Sequence, residues 1–262
     1  MKTLRQLLIA LTLFTSLMTV AQNDSKQQTA ASNEEQSIDT SKPTNFYSFV
    51  DNTLEFSSQE NQNVMGYRGK LTLAPSAEHL ILFEAPLLYN DRTDKLGVGD
   101  LRARYFWLPY KNYDKTIGAF GPSIDVFAPT GNFENGLGSG RWIVSPGVTV
   151  GIMAADWIQF FPIASYQYAS KPVYNNPAPA SDVATHGLSF QVITPIVFSE
   201  KFFMQVTPVF KMNNFNDERQ DRFEQEVFAA YSLNPKMQLT AFYSGKFKDK
   251  NHTVSAGLSV FF

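Results

Sequence analysis

The run 252–262 reads HTVSAGLSVFF. Val254, Ala256, Leu258, Val260 and Phe262 alternate there with Ser255, Gly257, Ser259 and Phe261. An extended chain turns successive side chains to opposite faces, so this pattern makes one apolar face and one small or polar face; a helix would need apolar positions three and four apart. The run 141–152, RWIVSPGVTVGI, repeats the pattern: Trp142, Val144, Pro146, Val148, Val150 and Ile152 share one face, Ser145, Gly147, Thr149 and Gly151 the other. From about Asn45 onward the period is two throughout. Reading each such run predicts strands at 45–56, 62–73, 79–89, 98–108, 117–128, 141–152, 157–168, 187–198, 202–212, 222–233, 236–246 and 252–262. Most are close to the about 9–11 residues a tilted strand needs to cross a hydrocarbon layer. The expected fold is therefore all-β, a transmembrane up-and-down antiparallel β-barrel of about 12 strands spanning residues 44–262. An even number of strands returns both chain ends to one side of the membrane.

The bulk composition agrees. The 262 residues suit one large all-β domain, and 23 Phe with 11 Tyr accompany a slightly negative mean hydropathy of −0.20. Such a chain is too polar to cross a membrane as helices, yet rich in large apolar side chains, as expected when each strand is apolar on one face only. A net charge of −2 supplies no basic face for phosphates, which argues against a nucleic-acid partner. Cysteine is absent, excluding disulfides, thiolate metal sites, a Cys nucleophile and a lipid-anchored N-terminal Cys. Residues 1–21 read as a cleaved signal peptide: Lys2 and Arg5 precede an apolar run from Leu7 to Val20, and Thr19-Val20-Ala21 offers small residues for cleavage after Ala21. Residues 22–43 are Gln, Ser, Asn, Thr, Glu and Lys with little to bury, and read as a disordered periplasmic leader. Together these predict export to the outer membrane of a Gram-negative bacterium.

The connections are asymmetric. With the N-terminus periplasmic, the inner turns near 154–156, 199–201 and 233–235 are short, and 109–116 is a longer exception. The outer loops near 90–97, 129–140, 170–186 and 213–221 are longer and rich in Gly, Pro, Asn and Asp, the usual asymmetry of outer-membrane barrels. On the apolar face, Tyr89, Trp142, Tyr166, Tyr168 and Tyr243 fall at outer strand ends, and Tyr105, Trp107, Trp157, Tyr231 and Phe262 at inner ends. Two aromatic belts at headgroup depth fit a lipid-facing girdle. A soluble β-sandwich or lipocalin-like barrel, the competing fold, needs neither the belts nor the even strand lengths.

The opposite parity carries charge. Arg68 and Lys70, then Glu84, then Asp100, Arg102 and Arg104, then Asp125, fall on the inward face of neighbouring strands, and Arg141 opens the next strand on the same side. Lys211 with Glu224 and Glu226 forms a smaller second set. Charges taken out of water must pair, so cross-strand ion pairs are expected. The first eight, Arg68 to Arg141, are candidate lumen-lining groups, with two readings: a structural network that fills the barrel, or a selective constriction. Twelve strands lie between filled eight-stranded barrels and wide sixteen-stranded porins.

Some outer-membrane barrels hydrolyse or transfer acyl chains. Of His79, His186 and His252, the last two fall at outer strand ends on the lipid side, but no GxSxG elbow accompanies them. No HExxH or acidic metal-binding motif occurs, and nothing implies a cofactor. The loops hold no repeats suited to an extended adhesive surface, which leaves adhesion or envelope scaffolding as a further class.

GVGDLRARY at 97–105, PTG at 129–131, GLGSGRW at 136–142 and Pro146-Gly147 form an ordered series over about residues 97–150. This series resembles the outer-membrane transporter family of the meta-pathway of phenol degradation. The resemblance implies a barrel passing small hydrophobic or aromatic compounds across the outer membrane, and carries no defined ligand residues. The terminal Phe262 likewise resembles the C-terminal signal read by barrel-assembly machinery. The expected partners are thus outer-membrane lipid, that machinery and a small-molecule substrate. The expected function is a passive channel, against a non-transporting structural barrel or, third, a lipid-modifying enzyme. Purified protein is expected to require detergent and to migrate faster on a gel unboiled than boiled; a water-soluble monomer of residues 22–262 would overturn this reading.

Overall fold

The structure, a computed structural model, describes residues 45–174 and 182–262. The signal segment and leader expected at 1–43 lie outside the described residues. Fourteen β-segments follow in order: β1 Phe49–Gln59, β2 Gln62–Ser76, β3 His79–Asn90, β4 Lys95–Val98, β5 Leu101–Trp107, β6 Tyr110–Lys111, β7 Ile117–Ala128, β8 Ile143–Ala155, β9 Ile158–Ala169, β10 Thr185–Ser199, β11 Phe202–Met212, β12 Asp221–Asn234, β13 Met237–Lys246 and β14 Asn251–Phe261.

Every pairing is antiparallel, and the sheet closes on itself. Strand β1 pairs with β14 from Phe49 opposite Phe261 to Ser58 opposite His252, and with β2 on its other side. Segments β4 and β5 both pair with β3 and make a single stave, while β6 is a two-residue bridge to β7. The result is a closed barrel of twelve staves. Closure removes the unpaired edge that a long strand would otherwise present.

The twelve staves sit where the alternation put them, with two displacements. The first strand was expected from Asn45 but starts at Phe49; just before it Ser48 accepts the Phe262 amide on its carbonyl (3.2 Å) and the Ala74 amide on its hydroxyl (2.9 Å), and the ladder goes no further. Phe46 and Tyr47 turn instead into the inner mouth, where Phe46 lies 4.6 Å from the Lys111 ammonium and Tyr47 packs edge-on to Phe261. The fourth stave starts earlier, at Lys95, and breaks at Gly99-Asp100. There Asp100 accepts the backbone N–H groups of Gly131 (3.0 Å) and Ser139 (2.7 Å), so the break clamps the outer loop 129–142 to the wall. Within that loop, Gly140 takes φ +65°, a conformation costly for a residue with a Cβ, where Tyr174 stacks on Phe133.

The barrel is apolar outside. Leu54, Phe83, Val148, Phe190, Phe210, Phe223, Leu239 and Val254 are exposed along the outward parity, and Trp142, Tyr166, Trp107, Trp157 and Tyr231 are exposed at its two ends. Exposing so many large apolar groups is stable only against hydrocarbon. The 3-10 turns at Glu218–Gln220 and Phe247–Asp249 lie in the long-loop end. An epitope inserted after Asn216 at that end should be labelled on intact cells, and one after Glu200 only once the outer membrane is permeabilised. The opposite pattern would invert the expected orientation.

Candidate functional site: the barrel interior

The interior is built in three storeys, each a consequence of which side chain falls on the inward parity at a given height. The middle storey is ionic. Adjacent antiparallel strands bring side chains opposite or diagonal to one another within reach, so an inward charge meets the inward charge of the next stave. Arg68 on β2 donates from Nε and Nη2 to Glu55 on β1 (2.6 and 2.9 Å) and from Nη1 to Glu84 on β3. Glu84 faces Arg102 in register, 3.7 Å away. Arg102 grips Asp125 on β7 with two bonds (2.9 and 2.6 Å), and Arg104, directly opposite Asp125, donates to the same carboxylate from Nε at 2.9 Å and from Nη2. Three guanidiniums and three carboxylates thus form one continuous ladder across five staves. The planar fork of arginine suits it to such two-pronged contacts.

Below the ladder Lys70 pairs with Asp51 at 3.1 Å, and Asp51, almost fully buried, accepts from Ser259 (2.9 Å) beside Thr240 (3.4 Å) at the closure seam. On another part of the wall Lys211 pairs with Glu224 at 3.0 Å. Of the candidates named from sequence, Arg68, Lys70, Glu84, Arg102, Arg104 and Asp125 come together. Asp100 and Arg141 do not join them: Asp100 holds the outer loop, and Arg141 donates to the backbone carbonyls of Ser170 (3.3 Å) and Val183 (3.0 Å) in the neighbouring loop. Glu55 and Asp51 were missed, although both lie on the inward parity of the first strand and could have been found by extending the same rule to β1.

The outer storey is small. Leu137, carried by loop 129–142, packs on Val64 and Leu88, and the buried Asn90 amide donates to Gln62 (2.9 Å) and to the Asn135 carbonyl (3.0 Å). Outside, at the water, the hydrogen bond and charge of Lys250 hold the Glu60 carboxyl below the usual carboxylate range.

The inner storey is apolar, which the sequence reading did not anticipate. A cavity of about 400 Å³ is lined mainly by apolar groups, among them Phe49, Phe106, Phe161, Phe203, Phe228 and Phe242, with the Asp51–Lys70 pair, Gln205 and Gln238 in its wall and Phe46 and Tyr47 at its mouth. The buried hydroxyls of Thr72 and Thr149, both in its lining, bond to no protein group. The signal was present: near their inner ends several strands are apolar on both parities, as in HLILF at 79–83, FFPI at 160–163 and the pairs Phe202-Phe203 and Phe261-Phe262.

The three histidines share one arrangement on the outer face. The Nδ1 of His79 meets the hydroxyl of Tyr105 at 2.7 Å, that of His252 meets Tyr243 at 3.0 Å, and that of His186 meets Tyr166. These Tyr–His clasps tie adjacent strands within the aromatic belts.

No family model matches the chain, and no curated protein matches it in sequence. Solved structures do. An outer-membrane channel from Pseudomonas putida is similar over 89% of this chain and 100% of its own, with 12% identity and a TM-score of 0.62. The NanC porin is similar over 81% of this chain and 100% of its own, with 12% identity and a TM-score of 0.59. The KdgM porin covers 81% and 99%, with 9% identity and a TM-score of 0.54. At these identities the likeness is one of fold alone.

Removing Arg102 takes one of two arginines from both Glu84 and Asp125 and leaves the ladder one positive charge short, where a fully uncompensated buried charge would cost about 3–5 kcal/mol. Arg102→Ala should therefore lower the melting temperature clearly, whereas Asp100→Ala should leave melting nearly unchanged and expose loop 129–142 to protease. Equal melting of wild type and Arg102→Ala would mean that water screens the ladder.

Proposed function

We propose that this chain is an exported outer-membrane channel through which small molecules pass passively. The observation that carries the reading is the layered interior: an ionic storey held by fixed ion pairs above an apolar cavity of about 400 Å³ with two unpaired buried hydroxyls. Ligand sites are commonly concave, mostly apolar and of this size, with a few polar groups that orient the solute. Phenylalanines on seven staves around the cavity favour hydrophobic or aromatic solutes, and Thr72 and Thr149 would accept or donate one hydrogen bond each to a polar substituent. The likeness to channel and porin structures and the resemblance over 97–150 to phenol-pathway transporters point the same way. The candidate lumen-lining groups Arg68, Lys70, Glu84, Arg102, Arg104 and Asp125 form the polar wall a solute meets before the cavity. Outer-membrane lipid around the apolar band and barrel-assembly machinery at the exposed Phe262 are the partners this reading implies.

A second reading has its own support. The six-membered ladder is internally neutral and each of its charges is engaged, as expected of a network that rigidifies a non-conducting barrel. Conductance of the purified protein in a planar bilayer, with liposome swelling against sugars and small phenols, separates the two. Discrete conductance and faster entry of phenols than of sugars of equal size are expected. A membrane that stays silent with correctly folded protein would favour the structural barrel. Replacing Phe228 with Asn should reduce phenol entry several-fold while leaving ion conductance standing.

A further inference from the structure

The inner-face carboxylates of the described staves are neutralised one by one. Asp51 meets Lys70, Glu55 and Glu84 meet Arg68, Asp125 meets Arg102 and Arg104, and Glu224 meets Lys211, all within 4 Å. Glu226 has no cation within 4 Å of its carboxylate, and unlike Asp100, which also has none, it is not taken up by backbone amides of a loop. It falls on the inward parity of β12, two residues from Glu224 and two from Phe228 of the apolar cavity, and is only partly buried. Its neighbours in register are Thr207 and Ser244, both neutral. Lys246, directly in register with Glu224 and on the same inward parity, is a further cation on that wall, two residues along β13 from Ser244.

Glu226 also has a defined outlook. Counting round the closed sheet, β12 and β5 are six staves apart in either direction, so they face each other across the bore. Arg102 and Arg104 stand on that facing stave. Those guanidiniums are already matched by Glu84 and Asp125 and offer little net attraction to an anion. Glu226 is therefore a carboxylate without an ion-pair partner on the wall opposite the ladder, with Lys246 one inward position further out on the neighbouring stave.

We propose that Glu226 sets the charge preference of the bore, drawing small cations past β12 and disfavouring anions of the same size. A fixed charge in a narrow channel with low-dielectric walls acts on passing ions more strongly than the same charge in bulk water. This inference rests on the channel reading.

The full chain is placed in a planar bilayer under a tenfold KCl gradient, and the reversal potential is read. Wild type should pass K⁺ in preference to Cl⁻. Glu226→Gln should lower the K⁺/Cl⁻ permeability ratio by about twofold or more, the order expected for one charge within a few ångströms of the ion path. Glu226→Asp should keep the preference, and Glu60→Gln at the outer turn should leave it unchanged. Glu226→Thr, which continues the row of Thr207 and Ser244, is a second neutral variant should the Gln form not assemble, and heat-modifiable migration shows that each variant is folded. A wild-type preference for Cl⁻, or an unchanged ratio in the neutral variants, overturns the role of Glu226 and leaves the channel standing. Folded wild type without conductance removes the channel reading, and this inference with it.

Discussion

The structure depends on closure of the sheet between its first and last strands. An antiparallel sheet in hydrocarbon has no water to satisfy an unpaired edge, so every backbone N–H and C=O of the staves must find a neighbouring strand. The seam between β1 and β14 meets that demand over ten residue pairs. It is reinforced from inside by Asp51, which ties Lys70 of β2 and Ser259 of β14 to β1. Once the sheet closes, the two faces of every strand have different surroundings. Outward positions meet lipid and become Leu, Val, Phe and Tyr; inward positions meet one another across a confined space.

That confinement explains the ladder. A lone charge in a narrow interior would carry a large desolvation cost, and antiparallel pairing offers each one partners on two adjacent staves. Arg68 reaches to both sides, to Glu55 and Glu84, and Asp125 receives two arginines. The chain of contacts keeps these long side chains on the wall they grow from. Charge thereby becomes part of the barrel's rigidity on one side, while on the opposite wall Glu226 stands without an ion-pair partner.

The apolar storey obeys a different logic. Near the inner mouth the barrel is lined on both sequence parities by large apolar groups, so the same strand ends face lipid with one residue and the cavity with the next. Phe202 and Phe203 illustrate it: Phe203 lines the cavity, and Phe202 lies near Phe198 at 5.5 Å on the other side. A solute leaving the charged storey would meet aromatic faces rather than water, and the segment Asn45–Ser48 narrows its way out.

The alternation of Val, Leu and Phe with Ser, Gly and Thr was enough to determine the all-β class, the twelve staves, which face of each meets lipid, and the inward placement of Arg68, Glu84, Arg102 and Asp125. These follow from a period of two, which is local and survives in any extended conformation. The start of the first strand was not local: nothing in Asn45–Ser48 says that Phe46 and Tyr47 leave the ladder for the mouth of the cavity. Nor could sequence show that Asp100 would turn from its arginine neighbours to the amides of Gly131 and Ser139, because that depends on where an outer loop folds back. The facing of Glu226 and the Arg102–Arg104 pair, more than a hundred residues apart, exists only because closure sets β12 opposite β5. Register along a strand is written in the chain, but distance across a bore is set by the number of staves that close it.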